Sequence, residues 1–352
     1  MAILQRLCLL PTKLMNSPLV TVLMPVYNGE LYLREAIESI LTQTFTNFEF
    51  LIINDGSTDN SENIINSYND SRILYVKNES NFRLIETLNK GIELAKGKYI
   101  VRMDADDVSA PTRMEKQVAF MEKNEDVGLC GSWFTSFGDV QESVCKYKEQ
   151  HDEILFKMFY QCHFCHPSLI IRKKVFDDLE IPFEKQFIHA EDYELYFRLS
   201  TKWKFHNLQE SLVKYRIHGL SVSRQNEKIQ LDHSLQIRKI FFSLLGIDCS
   251  REELKAFEAL NHQDYKGIKL SVQDVKLMLE SLILGNQKYK YIDTVFFEKE
   301  IKILWLSYCY HASTLLTYRE SANLYNLEME KSIPKIKWVL NGIKNQLKNL
   351  TK

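Results

Sequence analysis

The chain has 352 residues, enough for one large domain with an extension or for two domains. Charged residues make up 26% and apolar residues 45%, the balance of an ordinary globular protein with a sizeable core. A formal net charge of -1, without a basic helix-turn-helix or zinc-finger pattern, argues against a nucleic-acid partner. Seven cysteines, odd in number and without framework spacing, read as reduced thiols in a cytosolic compartment. No apolar run approaches the ~18 residues needed to span a bilayer. The opening "MAILQRLCLL" lacks the basic start and small-residue cleavage site of a signal peptide. Residues 1–16 therefore read as an N-terminal tail.

From residue 19 to 104 the pattern alternates strand and helix. "LVTVLMP" is a buried strand, apolar and β-branched, that stops at Pro25. "ELYLREAIESILTQ" places Leu33, Ile37, Ile40 and Leu41 at helical spacing. "FEFLIIND" is a second strand, "TDNSENIINSY" a helix and "RILYVK" a third strand. "LIETLNKGIELAKG" is a helix with Gly97 as its expected C-cap, and "KYIVRMD" is a fourth strand. Strands separated by helices imply parallel pairing with right-handed crossovers. Such sheets bind ligands beyond the carboxyl ends of their strands. Those ends read "PVYN", "NDGSTD" and "DADD", all polar.

From 111 to 220 the pattern is mixed, with a proline-started helix, a strand at "VGLCGSWFTSFG" and a helix at "AEDYELYFRLST". Beyond residue 222 it is nearly all helical. The expected division is a domain at 17–222 and a helical region at 223–352.

The run "DADD" puts Asp104, Asp106 and Asp107 within four positions. An extended backbone there points Asp104 and Asp106 to one side and Asp107 elsewhere. Two carboxylates on one side suit a hard cation such as Mg2+ with phosphate oxygens, whereas a solvated acidic turn needs no ligand. At the second strand end, Gly56 allows a tight turn after Asp55, while Ser57 and Thr58 suit a helix cap. Tyr27 reads as a platform for a base, with Asn28 hydrogen-bonding beside it, or as simple packing.

The ordered set "VTVLMPVYNGELYLREAIESILTQTF", "FEFLIINDGSTDN", "GKYIVRMDADD", Pro111-Arg113-Gln117, "HPS", "AEDYELYFRLS" and "YRIHGLSVS" resembles the family 2 glycosyltransferases. The likeness covers residues 17–223 and is greatest to bacterial members that build lipopolysaccharide, capsule or exopolysaccharide. It implies a GT-A fold, α/β with a mostly parallel central sheet, followed here by a helical C-terminal extension. It implies inverting transfer from a nucleotide-sugar, with a UDP-sugar expected, assisted by Mn2+ or Mg2+. The acceptor it implies is a saccharide or lipid-linked saccharide.

Carried over by motif, Tyr27, Asn28 and Asp55 would contact the nucleotide. Asp104 would lie near ribose and metal, and Asp106 would ligate the metal. Asp192 matches the family's catalytic base, with Glu191 beside it. His166 lines the acceptor side, Arg216 approaches the diphosphate and His218 the metal. Arg83 stands where the family usually has glycine. Either its loop differs, or Arg83 itself reaches the diphosphate.

Three further readings complete the expectations. "CHFCH" (residues 162–166) has the spacing of a haem-attachment or partial zinc motif, but lacks a second pair to close a zinc site. The tail "KSIPKIKWVLNGIKNQLKNLTK" carries lysines without acids beside an apolar stripe, which suits either a membrane-surface helix or a helix docked on the core. The expected location is cytoplasmic, peripheral at the inner face of the membrane. The rival functions are a nucleotidyltransferase and a non-catalytic sugar-nucleotide-binding scaffold.

Overall fold

The computed structural model describes residues 17–219 and 226–313. The tail at 1–16 and the lysine-rich segment beginning at Lys331 lie outside the described residues.

Strands β1 (Val20–Val26), β2 (Phe48–Asn54), β3 (Ile73–Lys77) and β4 (Tyr99–Arg102) pair in parallel, in the order β3-β2-β1-β4. Helices α1 (Leu33–Leu41), α2 (Ser61–Asn66) and α3 (Arg83–Leu94) connect them. β1 and β2 are buried on both faces, which is why both read as near-continuous apolar runs. Val20, Val22, Met24 and Val26 pack with Leu33, Ile37 and Ile40 of α1 on one face. Leu23 and Leu51 pack with Ile85, Leu88 and Ile92 of α3 on the other. Each such Leu or Ile contributes about 1.5–3 kcal/mol by leaving water.

α3 ends at Leu94 with Ala95 as its cap, so Gly97 is not the helix stop that the sequence suggests. A Cβ at Gly97 would stand 2.4 Å from the Thr21 nitrogen. The glycine lets the chain pass against β1 as it enters β4.

Beyond β4 the sheet continues through β8 (Ile170–Arg172), β6 (Val127–Gly138), β9 (Lys204–Ile217) and β5 (Val108–Ser109). β8 is antiparallel to both β4 and β6, while β6 and β9 run parallel. β7 (Ser143–Cys145) pairs with β6 off this path. Helices α4 (Arg113–Lys123), α5 (His151–Met158) and α6 (Glu191–Ser200) flank this half.

Four further helices follow: α7 (Glu227–Leu244), α8 (Arg251–His262), α9 (Val272–Tyr289) and α10 (Thr294–Ser313). Phe241, Phe257 and Phe297 from three of them close around Phe156 and Phe159, with ring centroids 5.5–6.5 Å apart. These helices therefore share one core with α5 and α6. No described helix is long and apolar enough to cross a membrane.

Candidate active site

The parallel strands β1, β2 and β4 deliver their carboxyl ends to one edge of the sheet, where open α/β sheets take ligands. At the end of β2, Asp55 is buried, and its Oδ1 accepts from Asn78 Nδ2 at 2.7 Å and from the Phe82 N–H at 2.9 Å. One carboxylate oxygen thus shapes the loop 78–82. Gly56 has φ +71, and a Cβ there would lie 2.6 Å from the Ser80 carbonyl carbon, so only glycine fits this turn.

At the end of β1, Asn28 adopts φ 51. Its Oδ1 accepts from the Thr58 N–H at 2.8 Å, and its own N–H donates to Ser57 Oγ at 3.0 Å. Asn28 brackets the two strand-end loops together. Tyr27 beside it is 51% exposed, an unpacked ring at the edge where ligands enter. Arg83 has φ 71, so the left-handed backbone suited to glycine is kept although the glycine is gone. Its N–H donates to Asn81 Oδ1 at 2.8 Å, its side chain is exposed, and its charge acts on His189.

The third strand end differs from the extended reading. β4 stops at Arg102 and residues 103–107 turn back. Asp104, Asp106 and Asp107 consequently converge, with one carboxylate oxygen of each within 4.8 Å of the others. The turn is held at both ends. Arg102, buried, forms an ion pair with Asp104, and the Arg216 N–H donates to Asp107 Oδ1 at 2.8 Å. Asp107 is buried with Oδ2 unpartnered. Burial pushes its carboxyl well up, and the charges of Asp104 and Asp106 push it further. Burial also raises Asp104, against the pull of Arg102.

Arg216 is fixed on all sides. Its guanidinium lies between the rings of Tyr32 and Phe137, 4.3 and 4.2 Å from their centroids. Nε donates to the Asp106 carbonyl at 2.7 Å, and a terminal nitrogen pairs with Glu35. His218, two residues on, brings Nε2 to 3.0 Å from Asp106 Oδ2. Carboxylate oxygens with one imidazole nitrogen form a donor set that suits Mn2+ or Mg2+, and the crowding of three acids disfavours their full ionisation without a cation. The residues therefore fit a divalent ion.

The sequence signal Arg113 and Gln117 proves to be scaffolding. Arg113 is wholly buried and donates to the carbonyls of Arg102 at 3.0 Å and Leu169 at 3.1 Å. Gln117 accepts from Arg113 Nε at 3.1 Å and donates to the Ser168 carbonyl at 2.7 Å. Together they staple the end of β4 to the turn His166–Ser168.

Across from the aspartates, α6 begins with Glu191 and Asp192. Asp192 Oδ1 accepts from the Tyr193 N–H at 2.7 Å. Glu191 is buried with Oε2 unpartnered, and burial, then the Asp192 charge, push it up to about 7. Burial raises Asp192 too, while Arg102 pulls it back. His166 Nε2, Tyr196 Oη and Arg102 Nε are also buried without hydrogen-bond partners. Burial holds His166 neutral, well below its ordinary range. Arg102 is thus the shared counter-charge: it acts on Asp104 and Asp107 on one side, and on Glu191, Asp192 and Tyr196 on the other. In "CHFCH", His163 uses Nε2 to accept from the Lys148 N–H at 2.8 Å, and burial keeps Cys162 and Cys165 protonated.

Residues 21–180 match the family model for glycosyl transferase family 2. An uncharacterized glycosyltransferase of Haemophilus influenzae is 30% identical over 300 residues, spanning 81% of this chain and 91% of its own. The chain belongs to glycosyl transferase family 2. It is similar also to the putative glycosyltransferase EpsE of Bacillus subtilis, 33% identical over 231 residues, 63% of this chain and 82% of that one. Among solved structures, S. aureus TarS 1-349 in complex with UDP-GlcNAc superposes with TM-score 0.56 at 16% identity, covering 82% of this chain and 89% of that chain. The mannosyltransferase PcManGT from Pyrobaculum calidifontis, in complex with GDP-Man and Mn2+, gives 0.52 at 14% identity, covering 83% and 86%. The fold is therefore that of the GT-A glycosyltransferases. As a family 2 glycosyltransferase the chain is an enzyme of glycosyl transfer, which sets aside the nucleotidyltransferase and scaffold readings.

The sequence singles out Asp104, Asp106, Asp192 and His218, and it turns Asp107 away from the cluster that the structure has it join. It does not point to Arg102, Glu35 or Tyr196. Arg102 left one usable signal: a charge inside an otherwise apolar strand buried between two neighbours, β1 and β8.

Proposed function

We propose that this family 2 enzyme is an inverting, divalent-metal-dependent glycosyltransferase. It moves a sugar from a nucleoside diphosphate donor, a UDP-sugar, to a hydroxyl of a saccharide or lipid-linked saccharide in bacterial surface polysaccharide synthesis. The observation that carries this reading is the pairing of two acidic groups from separate elements, Asp104-Asp106-Asp107 after β4 and Glu191-Asp192 on α6, around the buried cation Arg102.

On this reading Tyr27, Asn28 and Asp55 form the nucleotide end of the crevice, and Arg83 faces the diphosphate. Asp104 lies toward ribose, while Asp106 and His218 would hold the Mn2+ or Mg2+. Such an ion, when bound, neutralises charge developing on the leaving diphosphate. Arg216, held between two rings and bonded through Nε and one terminal nitrogen, acts on the donor by fixing the Asp106 backbone and the placement of His218. Asp192 takes the proton of the acceptor hydroxyl as its oxygen bonds to the anomeric carbon. The bond from that carbon to the diphosphate oxygen breaks, and the electron pair leaves with the nucleoside diphosphate. Attack opposite the leaving group inverts the anomeric centre. His166 and Glu191 line the acceptor side.

We assign the transfer chemistry to a glycosyltransferase domain at residues 17–222, which a helical region at 223–352 follows. The lysine-rich tail would bring the enzyme to the inner face of the cytoplasmic membrane, each lysine near an anionic surface contributing about 1 kcal/mol. Truncation after Ser332 that leaves liposome binding unchanged would exclude that contact.

A thermal-shift panel of nucleotide-sugars with Mn2+ or Mg2+ tests the donor assignment. The right donor at 100 times its dissociation constant stabilises by ~2.7 kcal/mol, and only when metal is present. A metal-independent shift would remove the metal from the account.

A further inference from the structure

The strand pair β6–β9 carries a row of partly exposed rings that the chemistry above does not use. Phe134 on β6 lies 5.9 Å from the Tyr147 ring and 5.6 Å from the Tyr215 ring of β9, centroid to centroid. All three are half-buried, so each keeps part of its surface open. The row is anchored. Trp133 Nε1 donates to the Tyr147 carbonyl at 2.9 Å, Gln209 Nε2 donates to the same oxygen at 3.2 Å, and the Tyr147 ring meets His163 edge-on at 4.9 Å.

One end of the row is tied to the reaction centre. The Tyr147 ring touches His163, and the next residue, Phe164, meets Tyr196 of α6 edge-on at 5.2 Å. Tyr196 stands one turn beyond Asp192 on that helix. At that end, Tyr196 Oη and Glu191 Oε2 are buried without partners. Two buried polar atoms left unpaired cost stability unless a ligand or water supplies the missing bonds. The surface thus changes along its length from aromatic rings in tilted and edge-on contact to unsatisfied polar atoms beside the proposed base.

A pyranose has the matching character, with a flat array of C–H bonds on each face and hydroxyls around its rim. We infer that Phe134, Tyr147 and Tyr215 line the acceptor platform, where a saccharide sets C–H faces against these angled rings and brings the reacting hydroxyl to Asp192. The inference rests on the proposed transfer reaction and names its acceptor as one that presents a saccharide, stacked, at the reaction centre. Fixed rings lose little freedom when they bind, which favours stacking over contacts from flexible side chains.

The test uses the full chain with UDP and Mn2+, and maltotriose and chitotriose as probes. Saturation-transfer NMR reads contact between the protein and saccharide C–H protons, and calorimetry reads UDP binding in the same samples. Phe134→Leu and Tyr215→Leu keep apolar bulk and remove the ring face. Each variant is expected to weaken saccharide binding by about fivefold, the scale of one lost aromatic contact, with UDP affinity unchanged. Undiminished saccharide contact in both variants overturns the platform. So does UDP binding by the wild type without contact to either saccharide. Failure of UDP itself to bind would instead strike at the transferase reading beneath it.

Discussion

His218 Nε2 stands 3.0 Å from Asp106 Oδ2, although 112 positions separate the two in the chain. The contact depends on β9, whose last residues pass beneath the aspartate turn and hand it two bonds from Arg216, one at Asp107 and one at Asp106. His218→Ala should lower Mn2+ affinity by at least the roughly 10–100-fold seen on losing an outer partner of a metal ligand. Asp106→Ala should abolish metal-dependent UDP binding. Manganese titrations followed by electron paramagnetic resonance check both. An unchanged His218→Ala titration would detach that residue from the metal.

Arg102 is the most consequential buried charge. Burial works against its charge, and Asp104, then Asp107, more than restore it. Arg102→Met leaves several acids without a counter-charge, and removing one partner of a buried pair costs about 3–5 kcal/mol. Urea denaturation should register a loss of that size. Arg102→Lys should recover part of it, because charge returns without the planar fork.

The same acids set a pH dependence. Glu191 is raised to about 7 from an ordinary glutamate value. A raised folded-state pKa means that the folded protein holds the proton more tightly than the unfolded chain. Its contribution is therefore complete below about pH 4.3, the unperturbed glutamate value, and is lost as pH rises through about 7. Metal-free protein should become less stable between those limits, and Asp104, Asp107 and Asp192 shift in the same direction. Glu191→Gln should remove roughly 1–3 kcal/mol of that slope, read as melting temperature against pH. An unaltered slope would mean that Glu191 does not titrate there.

Arg83 separates strain from function. A non-glycine residue in the left-handed region costs about 1–3 kcal/mol, partly offset by the greater freedom of glycine in the unfolded chain. Arg83→Gly is expected to stabilise the fold by about 1 kcal/mol while weakening UDP binding. A more stable variant with unchanged UDP affinity would leave Arg83 without a role at the diphosphate.

Much of this architecture is written in local pattern. Apolar runs that end in polar residues located β1, β2 and β4, and parallel pairing then placed Tyr27, Asp55 and Asp104 on one edge. What local pattern does not carry is the path of the chain after a strand ends. The extended backbone expected through Asp106 would have sent Asp107 away. Arg102 and Arg216, one inside the strand and the other far along the chain, fold the turn back and bury Asp107 instead. The aromatic clamp of Tyr32 and Phe137 on Arg216 joins three distant segments and leaves no periodic trace. Arg113 and Gln117 were visible as residues, but their work as a staple is set by carbonyls of β4 and the turn at Ser168, which no spacing rule reports.

The proposed division of labour, donor held at Asp106 and proton taken at Asp192, is tested most directly by Asp192→Asn. Two quantities are measured with the identified nucleotide-sugar and Mn2+: donor affinity by calorimetry, and the rate of nucleoside diphosphate release. Unchanged donor affinity is expected, with release slowed by ~10²-fold or more, the scale of a lost general base. Release at close to the wild-type rate by a folded, donor-binding variant would contradict it.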